Sequence, residues 1–350
     1  MTRALKRAFS LLFCAALLGS GTAAAQQPTS TNVAELAQLK SPDYLNQLIA
    51  GAKREGALNL YTSMTASTAA RLVADFESHY PDVKVNLWRA SSEALLQRTV
   101  AEARAQRNNF DVLETNGPEM EASHRENLLQ AVNSPRFAEL IPQAVMPHHE
   151  WVATRLNLMV QCFNTKLVKA SDQPASFVDL LLPRWKGKLG IEAGDADWLM
   201  TVAEEIGEDK ALKLFRDIVA ANGVTVRRGH ALMADQVIAG EIPLALNCYN
   251  FKIDQDRKAG APVDWISIGP VIARPNGAGV SRKPPHPYAA LLFYDYMLSP
   301  QAQQFLTSLE LVPVNKKIDS PLKGRQVKFV DPKRALDEQT KWDKLFKDIF

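Results

Sequence analysis

Cysteine is scarce in this chain, with 3 among 350 residues. That excludes a disulfide-dense scaffold and a structural zinc site built on four thiolates. An excess of charge is missing too. The 41 Lys+Arg outnumber the 38 Asp+Glu by three, the number contributed by Arg3, Lys6 and Arg7 at the start of the chain. With no basic run elsewhere, nothing electrostatic points to nucleic acid or an anionic membrane surface as a partner. After the first 25 residues no apolar stretch reaches the length of a bilayer span. The motifs G-x-S-x-G, H-E-x-x-H and the P-loop are absent, and Gly277-Ala-Gly-Val-Ser-Arg282 lacks the last glycine of a dinucleotide fingerprint. The chain is therefore expected to be no enzyme and to need no cofactor. His148-His149-Glu150 reads as a solvated loop, because adjacent histidines seldom aim at one ion and no Cys/His/Asp cluster of familiar spacing accompanies them. No metal site is expected.

What is present begins with a leader. The basic cluster is followed by apolar Ala8–Leu18, broken only by Ser10, and by Ala23-Ala24-Ala25 before Gln26. This is the layout of a cleavable secretory signal over residues 1–25, and it places the protein in the periplasm. Phe13 before Cys14 argues against a lipid anchor. About 325 residues then remain, enough for two domains with cores of their own. They keep two cysteines, Cys162 and Cys248. Both lie in apolar, strand-like runs where a thiol behaves as a small hydrophobe, so free thiols are favoured, although an oxidising compartment leaves a bridge open.

Hydrophobic periodicity alternates between strand and helix from residue 57 onward. "ALNLYTS", "VKVNLW" and "FDVLET" read as strands. Between them Leu72, Val73, Phe76 and Tyr80 form one helical stripe stopped by Pro81, and a second helix starts at Ser91 or Ser92. The same order returns near residue 155, with "LNLMVQCFN", "GKLGIEA", "VTVRR" and "IPLALNCY" as strands, a helix capped by Asp197, and one closed by Asn222-Gly223. Ser299 caps a late helix with Pro300 in its first turn. The expected fold class is α/β, as two doubly wound lobes joined by hinge strands. Lobe 1 takes residues 26–150 and a return segment 268–320, lobe 2 takes 151–267, and 321–350 form a C-terminal helical tail.

In open α/β sheets the strand-to-helix turns face the ligand. Here those turns offer Ser63, Ser92, Thr115 and Asn116 from the first lobe. The second offers Asp195, Asp197, Trp198, Arg228, His230, Tyr249 and Asn250. Arg155, at the crossover, reads equally well as a ligand clamp or as a hinge ion pair. Together these turns suit a small, polar, hydrogen-bonded solute.

The segments "EGALNLYTSMTASTAARLVADFESHYPDVKV", "FDVLET", "CFNTKLV", "AGEIPLALNCYN", "KAGAPVDW" and "PHPYAALLFYDYMLSPQAQQF" resemble the family-1 extracellular solute-binding proteins of ABC importers, of the iron(III)-binding-like, type II periplasmic kind. The resemblance runs over residues 55–305. It implies a monomer that closes about a hinge on its solute and delivers it to an ABC permease in the inner membrane; a chemoreceptor or sensor kinase is another partner such proteins serve. Ferric-binding relatives use paired tyrosines at the strand end held here by Tyr249, with a His or Glu from the other lobe. Here Asn250 follows Tyr249, and Thr65 and Asn116 fall near the other donor positions. By that comparison the ligand is expected to be an anionic or zwitterionic organic solute, with Arg228 and His230 favouring anionic oxygens. Asp195, Asp197 and Trp198 instead suit an amine. The alternatives are a ferric ion and, in a different class, a periplasmic hydrolase using Asp195 or Asp197.

N-terminal sequencing of exported protein should begin at Gln26. A mature chain that still starts at Met1 would contradict the assignment of the leader.

Overall fold

The computed structural model describes residues 32–350, so the expected leader lies outside the described residues. Twelve strands form one sheet. In chain order they are β1 (Ala57–Thr62), β2 (Lys84–Arg89), β3 (Val112–Asn116), β4 (Leu129–Gln130), β5 (Val152–Asn164) and β6 (Leu189–Glu192). Then come β7 (Val224–Arg227), β8 (Leu244–Tyr249), β9 (Val263–Ile266), β10 (Val271–Ser281), β11 (Val312–Pro313) and β12 (Val327–Phe329). Their main order is β2-β1-β3-β10-β5-β8-β6-β7. Each outer third is parallel, β2-β1-β3 on one side and β8-β6-β7 on the other, as helical crossovers require. The two thirds meet at β10 and β5, which run antiparallel to each other and to their flanking neighbours β3 and β8. Every residue of these two long strands is buried. Their polar members, among them Arg155, Asn157, Arg274 and Asn276, are therefore buried as well, and the doubly wound, two-lobed α/β architecture is the one expected.

The apolar packing divides accordingly. Leu60, Leu72, Phe76, Val112 and Phe293 belong to one core, and Phe163, Trp198, Phe215, Ile218 and Leu246 to another. The alternation of "VKVNLW" is what an edge strand shows, and β2 does lie at the rim with much of its length exposed. The side chains of Ser91 and Ser299 cap the helices Ser92–Arg104 and Pro300–Ser308. One cap differs from expectation. The helix Ala196–Ile206 begins after Asp195, not at Asp197, and neither carboxylate is spent on capping it.

Two further features depart from the sequence reading. Cys162 and Cys248 are joined by a disulfide that ties β5 to β8 at a Cα–Cα distance of 5.9 Å, so they are not free thiols. The C-terminal segment returns to the sheet: β12 pairs in parallel with β10 before the helices Pro332–Asp337 and Gln339–Ile349. Trp342, Phe346 and Ile349 are buried in the second core. Arg125 of the helix Gly117–Arg125 reaches Asp337 at 2.5 Å.

The central strands leave little room where they approach the chain entering β5. A Cβ added at Gly277 would lie 2.5 Å from Trp151 Cε3 and 2.8 Å from the Val152 carbonyl oxygen. Gly277→Ala should therefore destabilise the protein by about 1–3 kcal/mol through overpacking. Chemical denaturation with an unchanged midpoint would contradict this packing.

Candidate functional site

The carboxyl ends of β6 and β8, the start of one helix, and the middle of β10 converge on a single buried cluster. Glu192 ends β6 and is 4% exposed. Its two oxygens accept the backbone N–H groups of Gly194 at 2.6 Å and Gly229 at 2.8 Å. Gly229 has φ of 107°, a conformation that favours glycine, and so its N–H can turn to this carboxylate. Asn247, on β8, donates to Asp195 Oδ2 at 2.9 Å and accepts from the Glu192 N–H at 2.7 Å. It fixes Asp195 against the end of β6.

Arg274 of β10 ties this cluster together. It donates from Nη2 to Asp195 at 2.8 Å, from Nε to Asp197 at 2.7 Å, and from Nη1 to the Tyr249 hydroxyl at 2.5 Å. A second contact joins Nη2 to Asp197. The guanidinium is 4% exposed and its hydrogen bonds are taken up by these three partners. His230 opens the helix His230–Ala239, lies 3.3 Å from Asp195, and stacks on the Tyr249 ring at 3.6 Å. Its Nδ1 is buried and has no hydrogen-bond partner.

Protonation follows from these contacts. Burial alone would raise the Asp195 carboxyl, but His230 and Arg274 beside it outweigh that and hold it at about 2. Burial disfavours a charged His230, yet Asp195, and after it Glu192, raise its pKa above the ordinary value. Burial is also the largest cause that raises the Tyr249 hydroxyl, with Asp195, Asp197 and Glu192 adding to it against the pull of Arg274. The cluster thus sets an ionised Asp195 and the Arg274 guanidinium beside a neutral phenol and a histidine biased toward its cation.

On the first-lobe side, Thr115 donates to Ser63 at 3.1 Å, and Asn116 donates to Ser92 at 2.9 Å while accepting from Asn276 at 3.0 Å. The structure therefore groups Asp195, Asp197, His230 and Tyr249 tightly, and links Ser63 to Thr115 and Ser92 to Asn116. Four expected residues fall elsewhere. Trp198 is fully buried against Phe177 and Phe215 in the second core, because the helix turns its ring inward. Asn250 is buried; its Oδ1 accepts from the Leu158 N–H and its Nδ2 donates to Asp254. Arg155 forms a buried ion pair with Glu114, the hinge reading rather than the clamp. Arg228 is exposed, outside the buried cluster.

Sequence reasoning missed Glu192, Asn247 and Arg274. Arg274 stands in the Pro/Gly-rich stretch Gly269–Gly279, which carries no local strand pattern, yet it is part of β10. The available signal was an arginine directly after the apolar run Val271–Ala273. Glu192 closed a strand, but without a partner in sequence it resembled any terminal carboxylate.

Two α/β lobes sharing antiparallel central strands, with polar strand ends gathered between them, define a two-lobed solute-binding protein of the type II periplasmic class. Residues 111–344 match the family described as bacterial extracellular solute-binding protein, and the chain belongs to that family. It is the periplasmic solute-binding component of an ABC importer. It is 24% identical to iron uptake protein A1 of Synechocystis over 289 residues, 75% of this chain and 79% of that protein. Iron-bound HitA of Pseudomonas aeruginosa shares the fold with a TM-score of 0.72 and 20% identity, covering 84% of this chain and 99% of HitA. AfuA of Actinobacillus pleuropneumoniae, solved with fructose-6-phosphate, matches equally well, with a TM-score of 0.72 and 20% identity over 84% of this chain and 98% of AfuA. The shared fold does not by itself choose the ligand.

Asp195→Asn would leave Arg274 and His230 short of their common carboxylate. It should cost about 3–5 kcal/mol at pH 7, the range for breaking a buried pair. The folded-state pKa of Asp195 is depressed, so the stability it supplies is present above its unfolded value of about 4 and lost as pH falls through about 2. Denaturation curves of the two proteins should converge over that window. A constant gap from pH 7 to pH 2 would contradict the assigned ionisation.

Proposed function

We propose that the protein captures ferric ion for import. The observation that carries this reading is the convergence of Glu192, Asp195 and His230, whose ligand atoms all lie within 4.8 Å of one another beside Tyr249. Carboxylate and phenolate oxygens are the hard donors a ferric ion favours. Asp195 and Glu192 supply what the missing second tyrosine at Asn250 does not. The charge also suits a trivalent cation. Once His230 is neutral and Tyr249 ionised, four negative groups (Glu192, Asp195, Asp197, Tyr249) face the one guanidinium of Arg274, a net charge of −3. The names of relatives such as iron uptake protein A1 point the same way.

An anionic organic solute has weaker support. Arg274 is already bound to two carboxylates and a phenol, Arg155 to Glu114, and Arg228 lies outside the buried cluster. An anion would have to displace a carboxylate from one of the buried guanidiniums, at the cost of leaving that charge unpaired. By family the protein is a binder and not a hydrolase, since relatives are named for uptake and binding.

Capture works by differential affinity. The ion favours whichever lobe arrangement completes its coordination, and only that difference shifts the hinge equilibrium. Binding must also expel the protons that the raised pKa values hold on His230 and Tyr249. Affinity therefore falls as pH falls.

Adding ferric nitrilotriacetate should produce a visible phenolate-to-iron charge-transfer band that Tyr249→Phe abolishes. Loss of that one ligand should lower affinity by about one to two decades, the worth of a charged hydrogen bond or more. If no band appears and the protein instead retains a sugar phosphate or carboxylate in calorimetry, the anionic reading replaces this one.

A further inference from the structure

Beyond Arg274 the cleft continues into a cavity of about 80 Å³. That is several times the roughly 10–15 Å³ one water needs. Three parts of the chain wall it: Glu119 from the helix Gly117–Arg125, Asp197 and Met200 from the helix Ala196–Ile206, and Gln339, Trp342 and Asp343 from the last helix. Arg274 and Asp197 form the wall shared with the ion cluster, since Arg274 bonds both Asp195 and Asp197.

The recess is lined by three carboxylates, Glu119, Asp197 and Asp343, and one cation, Arg274. Arg274 is already engaged by Asp197, and among the described residues neither Glu119 nor Asp343 has an ion pair. Glu119 Oε2 is buried without any hydrogen-bond partner. Burial first, and then Asp197 and Glu93 against the pull of Arg274, push this carboxyl up to about 7. Burial and the same two carboxylates raise Asp343 as well, against Lys347 and Arg228. In its ionised form this buried, unpartnered carboxylate beside other carboxylates is costly unless a proton or a cation satisfies it. Trp342, buried against the second core, gives the cavity an aromatic wall, and Met200 adds a polarisable one.

We propose that this recess is a second subsite of the cleft, taking a small protonated amine between Glu119, Asp197 and Asp343 with Trp342 as its aromatic wall. The proposal rests on reading the cleft as a cation site, and it deepens that reading by adding an organic cation to the solutes the cleft accepts. An ammonium head supplies three donors, matching the free oxygen of Glu119 and the carboxylate of Asp343. The size of the cavity restricts it to a slender group such as an alkylammonium. The last helix thereby becomes part of the ligand cleft.

The test uses the whole mature protein at pH 8, where Glu119 is ionised, with ethylammonium chloride as the probe and sodium chloride at equal ionic strength as the control. Ethylammonium should raise the melting temperature saturably and sodium should not. Glu119→Gln and Asp343→Asn should each weaken the effect at least tenfold, while far-ultraviolet circular dichroism confirms that both fold. Trp342→Leu, which keeps an apolar wall and removes the aromatic face, should weaken it less. No saturable effect, an equal effect of sodium, or an undiminished effect in both carboxylate variants would overturn the proposal. Ethylammonium gives no charge-transfer band, so this subsite and the ferric cluster can fail independently.

Discussion

The whole site depends on one buried guanidinium. Arg274 leaves β10 at the centre of the sheet and holds Asp195, Asp197 and Tyr249 at once. A guanidinium out of water is tolerable only when its fork of donors is filled, and three acceptors from two different elements fill it. The same contacts fix the positions of the groups that face the cleft. Asn247 and the backbone amides of Gly194 and Gly229 then hold Asp195 and Glu192 from behind. The cluster is thus preorganised by hydrogen bonds made within the protein.

That arrangement is the basis for proposing a cation over an anion. An unpaired arginine would mark an anion site. Both buried arginines here, Arg155 and Arg274, are neutralised within the protein, and what is left over is negative. The protons the site retains fit that excess: burial first, and then the carboxylates, keep Tyr249 protonated, while Asp195 biases His230 toward its cation against burial. On the proposed ferric reading, a captured ion takes the place of those protons, which links capture to pH.

The fold was legible because it rests on local periodicity. Apolar runs, stop signals such as Pro81, and caps such as Ser299 act within a few residues of themselves, so the lobes and their order followed from them. Asp195, Asp197, His230 and Tyr249 were legible for a related reason: strand ends in doubly wound sheets gather at one edge. Side-chain direction was not legible. Trp198 lies one residue from Asp197 yet points into the core, since adjacent helical positions face about 100° apart. Arg274 and Glu192 meet the site through long-range pairing of β10, β5, β8 and β6, which no local pattern encodes. The disulfide was likewise a matter of which strands become neighbours.

Counting protons on ion capture is the most direct measurement. Calorimetric titration of the mature protein with ferric nitrilotriacetate, repeated in buffers of different ionisation enthalpy, gives the number released. If the cluster takes the ion by displacing the protons on Tyr249 and His230, at least one proton per ion should appear near neutral pH, with fewer in Tyr249→Phe. Binding that releases no proton, or that takes protons up, would contradict a cation site built on these groups.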